Sequence, residues 1–194
     1  MMTDDGNYLV YHPDGLERGK RYPLVFALSP TADAMSMLNA WAGVAEKHKW
    51  LVAASKTFRN EQRMDTSLQQ VSDALRAVEK KYPVNTRRVI FTGLSGGGMG
   101  SHGFAKFYPA RVTAIVINTG MMAEGSATAD YPNGKLAVFL ASPTDFRYRE
   151  MQRDRTFLQT HNWKTYWLEF PGGHTLAPPE VYEQAAVWLE ANWR

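Results

Sequence analysis

Residues 89–101 have the sequence VIFTGLSGGGMGS, and the predicted fold is built outward from this stretch. Its first residues, Val89 to Thr92, are β-branched and aromatic, which is typical of a buried strand. Ser95 follows between Gly93 and Gly97, and small residues that favour a helix start come next. A serine on so tight a strand-to-helix turn has strained backbone and needs small neighbours. The pattern Gly-x-Ser-x-Gly therefore predicts an exposed serine nucleophile at Ser95.

The same turn predicts where a negatively charged oxygen would be stabilised. The N–H of Gly96 is free at the start of the helix, where a developing oxyanion is favoured. A second N–H should come from the loop after the apolar run Tyr22–Leu28. Pro30 has no N–H in that loop, so we expect Thr31 or Ala32 to supply it.

Length, composition and charge limit the classes of function. The chain has 194 residues, is 44% apolar and 21% charged, and carries a net charge of +3. That length suits one domain with its own core, which we expect to span residues 1–194. The basic residues form no long run, so no nucleic-acid partner is expected. The absence of Cys excludes disulfides, thiolate metal sites and a cysteine nucleophile. We expect neither a metal nor a cofactor.

The sequence says little about location and assembly. No stretch approaches the roughly 20 apolar residues of a membrane span. Residues 1–6 lack the pattern of a signal peptide. We expect a soluble protein without a membrane span. A cytoplasmic location and a secreted one, with the signal peptide absent from this sequence, both stay open, as does the oligomeric state.

Apolar runs alternate with helical patterns along the chain. This alternation predicts a mostly parallel sheet covered by helices on both faces, with functional residues on loops at the carboxyl ends of the strands. Thr66 and Gln69 are spaced like a capping box at the start of one helix. An edge strand is predicted at Tyr8–Tyr11. The other predicted strands are Tyr22–Leu28, Trp50–Ala54, Arg88–Thr92, Ala114–Asn118, Leu136–Ala141 and Thr165–Phe170, and the predicted helices are Met37–Lys49, one near Thr66, Met99–Tyr108, Arg149–Thr160 and one opening at Pro178-Pro179.

A serine nucleophile needs a base, and the base needs a group that orients it. Asp145 comes just after the strand Leu136–Ala141, and His174 comes just after the last strand. Both residues, like Ser95, therefore follow strands that end at the same edge of the sheet. We predict that Ser95 is the nucleophile, His174 the base and Asp145 the acid.

Alternatives to this acid stay open. The alternative to a catalytic role for Asp145 is that it caps a helix. Glu124 and Asp130 follow the preceding strand and are the reserve candidates for the acid. Asp154 lies in the middle of a predicted helix, which makes it a weaker candidate.

Four other histidines compete with His174 for the role of base. His48 and His161 lie at or beside helix ends and are expected to be solvated. His102 comes one helical turn after the serine and is expected to pack. The four competing histidines are His12, His48, His102 and His161.

At these residues the chain resembles the α/β-hydrolase superfamily of serine esterases, and most of all its small polyhydroxybutyrate-depolymerase-like and feruloyl-esterase-like carboxylesterases. The resemblance covers nearly the whole chain and implies the α/β-hydrolase fold with Ser95, Asp145 and His174 as its triad. The chain departs from most relatives at Ser29-Pro30, where they have His-Gly. The motifs that carry the resemblance are Gly93-Leu94-Ser95-Gly96-Gly97, Asp145 and Phe170-Pro171-Gly172-Gly173-His174-Thr175.

The resemblance implies a metal-free carboxylesterase that hydrolyses short-chain or bulky and polymeric esters through an acyl-enzyme. A small-molecule or polymeric ester would then be its partner. Two alternatives stay open. One is a serine peptidase of the prolyl-oligopeptidase type, and the other is a catalytically weak hydrolase fold that serves in binding.

The connection at residues 119–134 bears on access to the serine. It is short, polar and without the apolar periodicity of a helix, so no cap domain is predicted and the site should be an open groove. Arginines at the same edge (Arg59, Arg63, Arg147 and Arg149) are either solvated surface groups or a basic rim that attracts anionic esters. The candidate contacts of the acyl group are Phe58, Met121, Met122, Phe146 and Tyr148.

Overall fold

Eight strands form one sheet in the computed structural model, which describes residues 1–193. The strands are Met2–Asp4 (β1), Tyr8–Tyr11 (β2), Tyr22–Leu28 (β3), Leu51–Ser55 (β4), Val84–Leu94 (β5), Ala114–Asn118 (β6), Leu136–Ala141 (β7) and Lys164–Glu169 (β8). Their order across the sheet is β1-β2-β4-β3-β5-β6-β7-β8. The six strands from β3 to β8 run parallel, and β2 is antiparallel to both β1 and β4.

Helices cover both faces of the sheet. They are Ala34–His48 (α1), Met64–Lys81 (α2), Gly96–Phe107 (α3), Tyr148–Thr160 (α4) and Pro179–Asn192 (α5), with a single 3₁₀ turn at Pro109–Arg111. Helices α1 and α5 pack on one face, and α2, α3 and α4 pack on the other. Within residues 1–193, no helix has the length and apolar character that crossing a bilayer requires.

The two cores follow from the alternation of side chains along buried strands. In β3, Leu24 and Phe26 face the side of α2 and α3, whereas Val25 faces α1 and α5. Aromatic rings fill both sides. Phe91 stacks on Phe104 with ring centroids 4.1 Å apart in the first core. Strands buried on both faces read as continuous apolar runs, which is why the sequence pattern identified them.

Most of the predicted elements are confirmed. Strands β2, β3, β6 and β7 have the predicted bounds, and the other predicted elements differ by a few residues at their ends. Two of the larger differences flank Ser95. Strand β5 begins at Val84 rather than Arg88, and α3 begins at Gly96 rather than Met99. Three consecutive glycines lower helix propensity, but tertiary packing holds them in the first turn.

Two predictions about local structure are wrong. Tyr8–Tyr11 is not an edge strand, because Met2–Asp4 pairs along its outer side. The capping box is also absent, because α2 begins at Met64 and Thr66 lies within its first turn. The N–H and hydroxyl of Thr66 both donate to Asp65 instead.

The connection between β6 and β7 contains neither helix nor strand, as predicted. It is nevertheless anchored to the protein. Tyr131 is buried, packs edge-on against Phe157 and donates a hydrogen bond to the carbonyl of His102 at 3.1 Å. The N–H of Met122 donates to Asp154 Oδ2 at 2.7 Å. Burial raises the pKa of the Asp154 carboxyl to about 6, more than the hydrogen bond from Met122 lowers it.

This raised pKa predicts a pH-dependent stability. Between the usual value of 3.8 and about 6 the folded protein keeps a proton on Asp154 that the unfolded chain releases. Stability should therefore fall as pH rises through this window, and the buried charge should be unfavourable above it. Asp154→Asn keeps an acceptor for Met122 and removes the charge. We expect its Tm to exceed that of the wild type at pH 8 and to match it near pH 4.

Thermal unfolding followed by circular dichroism over this pH range measures the effect. Asp73→Asn is the control, since Asp73 is an exposed carboxylate on α2 and should give no such pH-dependent difference. A Tm difference for Asp154→Asn that is equal at pH 4 and pH 8 would contradict the prediction.

Candidate active site

Ser95 lies between the end of β5 and the start of α3, in strained backbone. Its φ is 53° and its ψ is −117°, a region that side-chain-bearing residues rarely adopt. Its N–H donates to the carbonyl of Asn118 at 3.0 Å. A Cβ on Gly93 would lie 2.2 Å from the Gly97 carbonyl carbon, and one on Gly97 would lie 2.0 Å from the Leu28 oxygen. Both glycines are therefore required by the close approach of backbone to backbone.

The structure brings the three predicted residues together. His174 Nε2 lies 2.8 Å from Ser95 Oγ, and His174 Nδ1 lies 2.6 Å from Asp145 Oδ2. The Asp145 side chain is fully buried and also accepts the N–H of Arg147 at 2.6 Å. With the Nδ1 proton donated to Asp145, the Nε2 lone pair faces the serine hydroxyl. This is the arrangement in which an imidazole can take a proton from serine.

Asn118, at the end of β6, fixes the segment that follows His174. Its side chain is buried and donates from Nδ2 to the Thr175 carbonyl at 2.8 Å. Its Oδ1 accepts the N–H of Ala177 at 2.8 Å and the hydroxyl of Tyr182 at 2.7 Å. Sequence reasoning missed Asn118, although a polar residue that closes an otherwise apolar strand was a signal for it.

The loops that carry Asp145 and His174 are also joined to each other. Ser142, just after β7, accepts the N–H of Gly173 through its Oγ at 2.9 Å. The Ser142 carbonyl accepts the N–H of Asp145 at 2.9 Å. Both sides of His174 are thus held by buried polar groups of neighbouring strands, so the imidazole has a defined position.

The alternative acids lie elsewhere. Glu124 and Asp130 are exposed in the connection between β6 and β7. Asp154 binds the N–H of Met122 instead of a histidine. In the part of the chain that the structure describes, no three His, Asp or Glu side chains gather as a set of metal ligands.

The alternative histidines are mostly packed. His102 is buried as expected, and burial lowers its pKa to about 3. The expectation of a solvated side chain is wrong for His48, whereas His161 is partly exposed. His48 lies between Glu183 and Glu190 at 3.0 Å from each, with only 10% of its side chain exposed. His161 packs against Phe157, with ring centroids 4.4 Å apart.

A cavity of about 300 Å³ opens beside Ser95. Its wall combines methionine and phenylalanine side chains with amides, hydroxyls and two arginines, Arg59 and Arg147. None of the described residues that line the cavity carries a carboxylate. The lining residues are Phe58, Arg59, Asn60, Gln62, Met64, Ser67, Ser95, Gly96, Met99, Thr119, Gly120, Met121 and Arg147.

Two of the five predicted acyl contacts, Phe58 and Met121, line this cavity; the other three do not. Met122 is buried beneath its loop, because its backbone is tied to α4. Tyr148 points to β8 and its hydroxyl donates to Glu169. Phe146 is 65% exposed and its ring lies against the outer side of the His174 ring, with centroids 4.5 Å apart.

The predicted oxyanion donors differ in availability. Gly96 opens α3, and none of the described residues accepts its N–H. The N–H of Thr31 donates to Ser29 Oγ, and that of Ala32 donates to the Ser29 carbonyl, both at 3.3 Å. Both N–H groups therefore already have acceptors within their own turn. This argues against the prediction that Thr31 or Ala32 supplies the second oxyanion donor.

Comparison with known proteins identifies the architecture. No protein-family model and no curated protein sequence matches the chain. It is similar to the solved structure of S-formylglutathione hydrolase from Staphylococcus aureus, with a TM-score of 0.74 and 14% identity over 94% of this chain and 91% of that one. It is also similar to the fluorophosphonate-binding serine hydrolase F of the same organism, with a TM-score of 0.75 and 13% identity over 97% and 96%.

A third similar structure is a carboxylesterase from Mesorhizobium loti, with a TM-score of 0.72 and 16% identity over 94% of this chain and 93% of that one. The chain has the α/β-hydrolase fold. The predicted fold class is confirmed, with its mostly parallel sheet and helices on both faces. In this α/β-hydrolase fold, residues 119–135 add no cap helix over Ser95.

The hydrogen bonds of Asn118 predict that its replacement lowers both the stability of the protein and the reactivity of Ser95. Asn118→Leu fills similar space but leaves the N–H of Ala177 and the hydroxyl of Tyr182 without their acceptor. Each unsatisfied buried group costs roughly 1–3 kcal/mol, so we expect a clear fall in Tm. The freed segment should also misplace His174, so the reaction of Ser95 with a fluorophosphonate should slow in the fraction that remains folded.

Thermal unfolding measures the Tm, and the rate of labelling by a fluorophosphonate measures the reactivity of Ser95, so the two effects are separated. Asn7→Ala is the control, since Asn7 is exposed and lies before β2, away from this segment. A wild-type rate of labelling in folded Asn118→Leu protein would show that Asn118 does not position His174.

Proposed function

We propose that this protein is a serine carboxylesterase in which Ser95 is the nucleophile, His174 the base and Asp145 the acid. The observation that carries the proposal is the unbroken chain of hydrogen bonds from Asp145 through His174 to Ser95, at the mouth of a cavity. The similar structures support it, since they include a carboxylesterase and serine hydrolases.

Acylation follows from the geometry. Ser95 Oγ attacks the ester carbonyl carbon while its proton passes to His174 Nε2, and the carbonyl electron pair moves onto the oxygen. Asp145 stabilises the imidazolium that forms, because its carboxylate accepts the Nδ1 proton in a hydrogen bond. The tetrahedral intermediate collapses, the carbon–oxygen bond to the alcohol breaks, and His174 gives its proton to the departing alkoxide.

Deacylation repeats these steps with water. His174 takes a proton from a water molecule that attacks the acyl-enzyme, and it returns this proton to Ser95 as the acid leaves. The side chain of Phe146 covers the outer side of the imidazole without closing the site. Since no helix of the described chain covers Ser95, we propose an open groove that admits short-chain and bulky esters.

The triad assignment predicts large, non-additive losses. Ser95→Ala and His174→Ala should each lower the kcat for p-nitrophenyl acetate by on the order of 10⁴ or more, and the double variant should be little worse. Asp145→Asn should also reduce kcat strongly, because the imidazole loses its orientation. Glu124→Gln tests the reserve acid and should have no such effect.

His12→Ala is the matched control, since His12 follows β2 at the opposite edge of the sheet. Full activity in His174→Ala would refute the assignment. Labelling with a fluorophosphonate separates an enzyme from a hydrolase fold that only binds. Rapid cleavage of a peptide anilide with no turnover of esters would favour the peptidase alternative instead.

We also propose that the favoured esters carry a negative charge on the acyl side. Arg59 and Arg147 line the cavity without a carboxylate among the lining residues. Arg147 has a partner in Glu150 only at 3.5 Å, whereas Arg63 is tightly paired with Asp65 at 2.7 Å. A charged acyl terminus would therefore find available guanidinium groups at this wall.

This charge preference is tested with esters of matched length. We expect kcat/KM for mono-p-nitrophenyl glutarate to exceed that for p-nitrophenyl valerate at low ionic strength, and to fall several-fold as salt is raised. The neutral ester should respond little, because screening acts only on charge. Arg59→Gln should lower the ratio of the two kcat/KM values. Arg149→Gln is the control, since Arg149 does not line the cavity. Equal salt dependence for both esters would leave solvated surface arginines as the explanation.

A further inference from the structure

The side-chain amide of Asn60 lies directly against Gly96. A Cβ on Gly96 would be 1.8 Å from Asn60 Oδ1, 2.7 Å from its Cγ and 3.1 Å from its Nδ2. A side chain at position 96 would therefore displace the amide from this place. Gly96 also carries the free N–H at the start of α3, and both residues line the cavity beside Ser95. The amide and this N–H therefore border the same small space.

The backbone of Asn60 is held in place by the loop after β3. Its N–H donates to the carbonyl of Pro30 at 3.0 Å, and the adjacent Arg59 forms an antiparallel bridge with Thr31. The loop after β4 is thus fastened to the loop from which an oxyanion donor was expected. These backbone contacts fix the position of the Asn60 backbone next to Ser95.

The expected backbone donors of that loop are already engaged. Pro30 has no N–H, and those of Thr31 and Ala32 donate to Ser29 within their turn. By contrast, the Asn60 side chain makes no hydrogen bond to any other residue in the described range 1–193. It is exposed in the free protein, and an ester seated in the cavity would cover it.

We propose that the Asn60 side chain is the second oxyanion donor, in place of a backbone N–H of residues 31–32. The inference rests on the proposed esterase function. A half-turn of the amide about χ2 exchanges Oδ1 and Nδ2, which presents an N–H donor to the space beside Gly96. As Ser95 Oγ bonds to the carbonyl carbon, the displaced electron pair moves to the oxygen, which then accepts from Gly96 and Asn60.

Because this charge develops only in the transition state, the loss should appear in kcat. Asn60→Ala should lower kcat for p-nitrophenyl acetate by on the order of 10²–10³ while KM stays within a few-fold of the wild type. Asn60→Asp has the same shape but only acceptor oxygens, so it should be at least as damaging. Glu61→Gln is the control in the same loop, since Glu61 is exposed and does not line the cavity.

A structural role for Asn60 predicts a different result. In that case Asn60→Asp would be mild, and the loss in kcat would follow a fall in Tm. Phosphonylation by a fluorophosphonate gives a second readout, since its rate should fall with kcat if Asn60 stabilises the developing negative oxygen.

Gly96→Ala gives an independent test of the contact. In the wild type the new Cβ must displace the Asn60 amide, so kcat should fall about as far as in Asn60→Ala. In the Asn60→Ala background the space is free, and Gly96→Ala should cost little more. An equal loss in both backgrounds, or a wild-type kcat in Asn60→Ala, would overturn the proposal.

If the wild-type protein neither hydrolyses esters nor reacts with a fluorophosphonate, the proposed function is refuted. If the wild type does both and Asn60→Ala is equally active, only the role of Asn60 is refuted.

Discussion

The site depends on how closely α3 approaches the end of the sheet. Backbone meets backbone there with no side chain between, since a Cβ on Gly97 would fall 2.0 Å from the Leu28 oxygen. This contact forces the chain to turn sharply, and Ser95 takes a φ of 53° as a result. Such a conformation costs on the order of 1–3 kcal/mol and persists only where the surroundings fix it. The stacked rings of Phe91 on β5 and Phe104 on α3 help to hold the two elements that flank this turn.

Asn118 connects this turn to the rest of the site. Its carbonyl accepts the N–H of Ser95, while its side chain holds the segment after His174. One residue at the carboxyl end of β6 therefore sets the distance between the serine and the imidazole. The burial of its amide makes this possible, because a buried polar group with all its partners has a single favourable arrangement.

The sequence predicted what depends on local pattern. Continuous apolar runs identified the central strands, and the flanking glycines marked Ser95. The order of residues after successive parallel strands then led to Asp145 and His174. The structure places His174 within hydrogen-bond distance of both Asp145 and Ser95. The catalytic roles of the three stay predictions.

What the sequence did not predict depends on contacts between distant segments. The burial of Met122 follows from its bond to α4, and that of His48 follows from two glutamates on α5. In the sequence, Asn60 resembles any polar residue of a loop. Its hydrogen bond to Pro30 and the close approach of its amide to Gly96 are visible only in the structure. The engaged N–H groups of residues 31–32 likewise depend on how one turn closes on Ser29, which composition does not reveal.

The separation of Ser95 and His174 along the chain has a consequence for folding. The two residues are 79 positions apart, and their meeting requires every parallel strand from β5 to β8 to be paired. Non-local pairings of this kind form slowly, after local helices. A chain made from its N-terminus therefore exposes the serine long before the imidazole arrives, and the hydroxyl stays an ordinary alcohol until the last strand docks. In the proposed mechanism, the reactivity of Ser95 is thus a property that the protein acquires only at the end of its folding.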